Sequence, residues 1–111
     1  MNQSIRDRYE IRAAIMKALG HPSRLFIVDE LSRRDRCVCE LTEMIGADIS
    51  TISKHLSLLK EVGIVDSEKR GTQVHYRLAA PCVLGFFCCL EDMVRANVDT
   101  GMQSLQEDVS Q

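Results

Sequence analysis

The 111-residue chain contains no apolar run of about 18 residues or more, which excludes a membrane-spanning helix. Residues 1–12 mix charges of both signs without an apolar stretch, so they do not read as a secretory leader, and the cytoplasm is the expected location. There is no linker, internal repeat or low-complexity tract, and the length suits one domain, 1–111. A basic excess is also missing. Fourteen Lys and Arg stand against 16 Asp and Glu, a net charge of −2 that argues against indiscriminate attraction to polyanions. The thiols have no CxxC spacing and no accompanying catalytic constellation, so an enzyme such as a small thiol reductase is not expected.

What the chain does have is cysteine, five in all, at 37, 39, 82, 88 and 89. An odd count in a reducing compartment points away from structural disulfides and toward metal or redox chemistry, although a buried Cys also serves as a small core hydrophobe. Charge is unevenly spread. Residues 1–36 hold eight Lys/Arg and five Asp/Glu, residues 48–77 five and four, and residues 91–111 one and five. The acidity is concentrated at the C-terminal end, leaving the rest free to present a locally basic face to phosphates.

Apolar spacing predicts a helix over 8–19, with Ile11, Ala14, Ile15, Ala18 and Leu19 on one side and Gly20 closing it. Pro22 suits the first turn of a second helix with an apolar face of Leu25, Val28 and Leu31. A short third helix runs from Cys37 to Gly46, with Val38, Leu41, Met44 and Ile45 facing inward. Asp48 caps a fourth whose stripe is Ile52, Leu56, Leu59 and Val62, ended by Gly63. Two helices around a short Gly-containing turn form a helix-turn-helix. Beyond Gly63 the period changes. Ile64-Val65 and the alternating Gln73–Leu78 make a two-stranded hairpin, a wing with a basic tip at Lys69 and Arg70. The expected fold is thus mainly α with a β-hairpin, a winged helix-turn-helix whose DNA-reading core spans about 21–78. A last helix over about 82–103 carries Val83, Leu84, Phe86, Phe87, Leu90, Met93 and Val94, more apolar surface than a lone helix needs, and a dimer partner is the simple explanation. The segment 106–111 is expected to fray.

The run Leu19-Gly20-His21-Pro22-Ser23-Arg24-Leu25 resembles the opening motif of the ArsR/SmtB family of metal-sensing repressors. Cys37-Val38-Cys39-Glu40-Leu41 resembles the thiol-rich motif of its arsenic- and cadmium-type members, Ile52 to Val65 the family's recognition helix, and Arg70-Gly71 with Tyr76-Arg77-Leu78 its wing. The resemblance covers about residues 10–95. It implies a homodimer, formed through the first and last helices, that binds an inverted repeat of double-stranded operator DNA without any cofactor. Two departures stand out: Ile49 occupies a position where the family often has Gln, and Thr42 one where the best-matched arsenic sensors have a third Cys.

Read as a recognition helix, the N-terminal half of the fourth helix offers Ser50, Thr51, Ser53, Lys54 and His55 to base edges and phosphates, with Ile49 suited to a thymine methyl. Lys69 and Arg70 are expected to hold phosphate or the minor groove, which positions the protein without reading sequence. Two such helices in a dimer lie about 34 Å apart.

Cys37 falls at a helix N-terminus, where partial positive charge, aided by Arg36, favours thiolate. Thiolates suit As(III) and Sb(III), and also Cd(II) or Pb(II). Cys37 and Cys39 are two apart and point to opposite sides of an intact helix, so joint ligation requires a distorted first turn or a Cys37 outside it. Such a ligand would strain the neighbouring recognition helix and select a form that binds DNA poorly. Arsenite prefers three sulfurs, and Cys82, Cys88 and Cys89 are candidates for the third, with dimer-interface packing as the plain alternative. Glu91 and Asp92 have no His beside them on the last helix, so a zinc, nickel or cobalt site is not expected there. A thiol-redox or persulfide sensor on the same fold is the competing function.

Overall fold

A computed structural model describes residues 1–97. Five helices and three strands follow in the order α1 (Gln3–Leu19), α2 (Pro22–Leu31), β1 (Arg36–Cys37), α3 (Val38–Ile45), α4 (Ile49–Glu61), β2 (Val65–Arg70), β3 (Gln73–Leu78) and α5 (Val83–Asn97). Two compact units are distinguished, Met1–Pro81 and the segment that begins at Cys82.

The helix ends follow from local chemistry. Asn2 caps α1 by accepting from the Ile5 N–H at 2.9 Å, which starts the helix five residues earlier than the apolar spacing indicated. Pro22 occupies the first turn of α2, where its missing N–H leaves no helical bond unmade. Gly46 ends α3 at φ +80°, a left-handed conformation that an L side chain resists, and its N–H returns to the Thr42 carbonyl at 2.9 Å. Two residues later Asp48 opens α4. The turn between the two helices is therefore tight, and α3 packs against α4.

The core of the first unit is built from Ala18 and Leu19, Ile27, Val28 and Leu31, Leu41, Ile52, Leu56 and Leu59, with Ile64 and Val65 closing one side. Burying each of the larger side chains contributes about 1.5–3 kcal/mol, so the α4 stripe alone anchors the helix-turn-helix. Four apolar positions are less buried than the spacing indicated. Ile27 is fully buried whereas Leu25 is only half-buried, because α2 turns Ile27 and Val28 together toward α4. Met44, expected inside, is 43% exposed, since the eight-residue α3 is too short to bury a full face. Along α1, Ile11 and Ala14 are exposed and only Ala18 and Leu19 reach the core.

The hairpin is present and carries a third, two-residue strand. The sheet order is β1-β3-β2, all antiparallel. β2 and β3 pair from Val65↔Leu78 to Arg70↔Gln73 around Gly71 (φ +66°), and β1 adds Arg36↔Tyr76 and Cys37↔His75. At the base of the hairpin the Ala79 and Ala80 N–H groups both donate to the Ile64 carbonyl, at 2.9 and 3.2 Å.

Pro81 lies in a turn at the end of the first unit, and in the second unit α5 begins at Val83. Val83, Leu84, Phe86, Phe87 and Leu90 are half-buried, while Met93 and Val94 are exposed. Arg95 pairs with Glu91 and Asp92, both at 3.6 Å. The expected continuation of this helix to about residue 103, and the fraying of 106–111, lie outside the described residues.

Candidate nucleic-acid interface and thiol site

The helix that would enter a groove is α4. Its Asp48 cap accepts from the Thr51 N–H at 3.0 Å and from the Ser50 hydroxyl at 3.1 Å. Bonds from Thr51 and Ser50 hold the Asp48 carboxyl below its ordinary pKa. With Ile52, Leu56 and Leu59 turned to the core, the opposite face presents Ser50, Thr51, Lys54 and Ser57 to solvent, and Ile49 is 55% exposed. Of the five side chains expected to read DNA, Ser50, Thr51 and Lys54 are thus exposed and Ser53 is half-buried. His55 is half-buried, with its Nδ1 3.0 Å from Nη1 of Arg24. Ser57 was not singled out from the sequence. Its spacing of seven from Ser50 and three from Lys54 is the signal that puts it on the same face.

The wing follows α4 directly, and Lys60 Nζ donates to the Ser67 hydroxyl at 2.6 Å to join them. Lys69 is exposed and has no ion-pair partner among the described residues. Arg70 is engaged differently from the expectation of a free phosphate contact. Its Nη2 lies 3.0 Å from Asp35, in the loop before β1, and 3.3 Å from Glu68. Arg77 pairs with Asp66 at 3.0 Å across the hairpin.

Cys37 stands at the junction of these parts. It is the last residue of β1, the cross-strand partner of His75 in the wing, and the N-cap of α3 with extended backbone (φ −82°, ψ 163°). It therefore lies outside the helix, the alternative that joint ligation with Cys39 required, and is only 5% exposed. Glu40, the third residue of α3, reaches back to accept the Cys37 N–H at 3.1 Å. That backbone bond first, and then Arg36 at 2.9 Å, hold the Glu40 carboxyl down at about 2. Arg36, expected to lend its charge to the Cys37 thiol, is clamped between Glu40 and the buried Glu30, the latter at 2.7 Å. Arg33 adds a contact to Glu30 at 3.3 Å, and the Arg36 Nε is buried with no hydrogen-bond partner. This carboxylate–guanidinium network went unseen in the sequence because its members come from α2, β1 and α3.

Cys39, the second residue of α3, is exposed. The Thr42 hydroxyl, at the position of the missing third Cys, donates to the Val38 carbonyl at 2.8 Å. Cys82, Cys88 and Cys89 are all exposed. Among the described residues, no three His, Cys, Asp or Glu side chains are gathered closely enough to hold a metal ion. No helix among them is long and apolar enough to cross a membrane.

A helix-turn-helix with an exposed polar recognition face and a basic hairpin beside it defines a winged helix-turn-helix DNA-binding regulator. Residues 21–67 match the family described as bacterial regulatory protein, arsR family. The chain is 41% identical over 71 residues to an uncharacterized HTH-type transcriptional regulator, MJ1325, of Methanocaldococcus jannaschii, covering 63% of this chain and 80% of that one. It is 42% identical over 65 residues to the cadmium resistance transcriptional regulatory protein CadC of Listeria innocua, covering 58% of this chain and 55% of CadC. In fold it is similar to the homodimeric winged helix-turn-helix DNA-binding domain Mb0332 of Mycobacterium bovis, with a TM-score of 0.77, 26% identity, and coverage of 90% of this chain and 93% of that one. The chain belongs to the ArsR/SmtB family of transcriptional regulators, which are not enzymes.

Proposed function

We propose that the protein is a cytoplasmic homodimeric repressor that leaves its inverted-repeat operator when a soft ion is bound by Cys37 and Cys39. As(III) or Sb(III) fits first and Cd(II) or Pb(II) second, and DNA binding itself needs no cofactor. The observation that carries this reading is the placement of Cys37, which caps the helix packed on α4 and also pairs with a wing strand. Drawing its sulfur toward an ion shared with Cys39 pulls on both DNA-contacting elements at once. The ion shifts the equilibrium by its differential affinity for the DNA-bound and free conformations. Cys82, Cys88 and Cys89 remain the candidates for a third sulfur. Of the side chains the sequence offers to DNA, Ser50, Thr51, Ser53 and Lys54 are assigned to the groove, Lys69 and Arg70 to phosphate or the minor groove, and the half-buried His55 is held back from it by Arg24. The reading treats residues 1–111 as one functional unit, with 21–78 reading DNA and the first and last helices pairing two copies.

The test is a mobility shift with the promoter DNA upstream of the gene, with and without arsenite. Wild type is expected to release DNA, and Cys37→Ser and Cys39→Ser to stay bound. Release of both variants by arsenite overturns the assignment. The exposure of four of the five thiols favours a second reading, a disulfide or persulfide sensor. Mass spectrometry after oxidant or arsenite treatment separates the two, since one links sulfurs and the other adds the metalloid.

A further inference from the structure

His21, Arg24 and the half-buried His55 form a cluster apart from the thiols and from the solvent-exposed face of α4. Arg24 lies in the first turn of α2. Its Nε donates to the Ala18 carbonyl at 2.6 Å and its Nη2 to the Lys17 carbonyl at 3.4 Å, while Nη1 lies 3.0 Å from Nδ1 of His55 on α4. One guanidinium thus joins the C-terminal end of α1 to the recognition helix. The His55 ring rests against His21 with centroids 4.5 Å apart, tilted by 45°. His21 is the N-cap of α2, and its Nδ1 accepts the Ser23 N–H at 3.1 Å.

Donor and acceptor roles here are forced. A guanidinium carries only donors and keeps its proton in proteins, so Nδ1 of His55 is the acceptor and its ring proton sits on Nε2. A backbone N–H also only donates, so Nδ1 of His21 is an acceptor as well. Both contacts require neutral imidazole, because a protonated ring has a donor at each nitrogen and no lone pair to offer. Protonation would also set a second positive charge against Arg24. The charges that bear on His55 are those of His21 and Arg24, and the groups that α1 contributes to Arg24 are carbonyls. Burial first, then these two neighbours, push the His55 pKa below its ordinary 6.5.

We infer that His21, Arg24 and His55 are positioning residues, a proton-sensitive latch that sets the recognition helix against the α1–α2 corner and opens on acidification. The inference rests on the reading of α4 as the DNA-contacting helix. The sign follows from linkage. A histidine held neutral in the folded state takes up protons more readily once released, so the latch is complete above about pH 6.5 and is lost as pH falls below it.

The experiment uses the full chain carrying His75→Gln, which leaves His21 and His55 as its histidines, and a duplex selected from random-sequence DNA near pH 7.5. Affinity is measured at constant ionic strength near pH 7.5 and pH 5.5. A loss on the order of ten-fold is expected on acidification, the size of one hydrogen bond to a charged group. The added His55→Gln, whose amide oxygen accepts from Arg24 at either pH, is expected to hold its affinity ratio within about two-fold. Tighter binding at pH 5.5 overturns the latch, because that is what a histidine facing phosphate would produce. An undiminished loss in His55→Gln overturns it too. Thermal midpoints at the two pH values give a readout without DNA: the parent is expected to lose stability on acidification and His55→Gln to lose less, and parallel losses count against the latch. If selection enriches no duplex, the DNA-binding reading fails while the melting comparison still decides the latch.

Discussion

At the scale of single residues, Glu40 and Cys37 form a pair whose roles separate cleanly. Glu40 serves the backbone of the N-cap and the Arg36 guanidinium, so its contribution is ionic and pH-dependent. Its carboxyl is lowered from 4.5 to about 2, so the stability it adds is fully present above pH 4.5 and vanishes as pH falls through about 2. Glu40→Gln is therefore expected to be less stable than wild type at neutral pH and to converge with it near pH 2, as measured by urea denaturation across that range. Cys37→Ser places a preferred capping residue at the same position. It is expected to fold with its stability within about 1 kcal/mol of wild type while losing the response to arsenite, which chemical denaturation and a mobility shift report independently. The CxC motif and its place at a helix start were legible in the sequence, because two thiols next to a predicted helix boundary are a local signal. The clamp of Glu30, Arg36 and Glu40 was not, because Glu30 is brought in from another helix by tertiary packing.

At the scale of elements, α4 and the wing, the two parts proposed to face DNA, are held by different forces. α4 is fixed by apolar burial. Leu56→Ala removes a fully buried side chain and is expected to cost about 2–5 kcal/mol, read from the midpoint of denaturation. The wing is held by the backbone ladder between β2 and β3, with exposed ion pairs added at its surface, where Arg70 is shared between Asp35 and Glu68. In the proposed complex Asp35 would compete with phosphate for that guanidinium. Asp35→Asn is expected to raise DNA affinity a few-fold and to steepen the dependence of log K on log salt by up to about one unit, which a salt titration of the complex checks. Helix positions were legible because Gly20, Pro22, Gly46, Asp48 and Gly63 punctuate the chain at the right intervals. β1 escaped notice because a two-residue strand has no period to detect, and it exists only because β3 is there to pair with it. Leu25 is only half-buried and Met44 exposed for a related reason: on helices of ten and eight residues, the neighbours decide which face is covered.

At the scale of the whole molecule, apolar side chains remain exposed on the first and last helices, Ile5, Tyr9, Ile11 and Met16 on one and Met93 and Val94 on the other. Covering them is the physical reason for the proposed dimer, and two linked reading helices are what an inverted repeat requires. Ile11→Glu combined with Met93→Glu is expected to shift the protein toward monomer in sedimentation and to weaken operator binding strongly, while the isolated chain keeps its helical signal in circular dichroism. The net charge of −2 gives no general attraction for DNA, so the proposed affinity would have to come from local cations such as those of α4 and the hairpin. The three-stranded sheet is unevenly joined. Its first strand is joined to the others through only two residue pairs, so separating it disturbs a small fraction of the molecule's cohesive energy. A protein stitched this way can detach the strand that carries Cys37 from the hairpin without melting, and whichever of the Tyr76 and His75 amides faces that strand should exchange with solvent long before those of the α4 stripe.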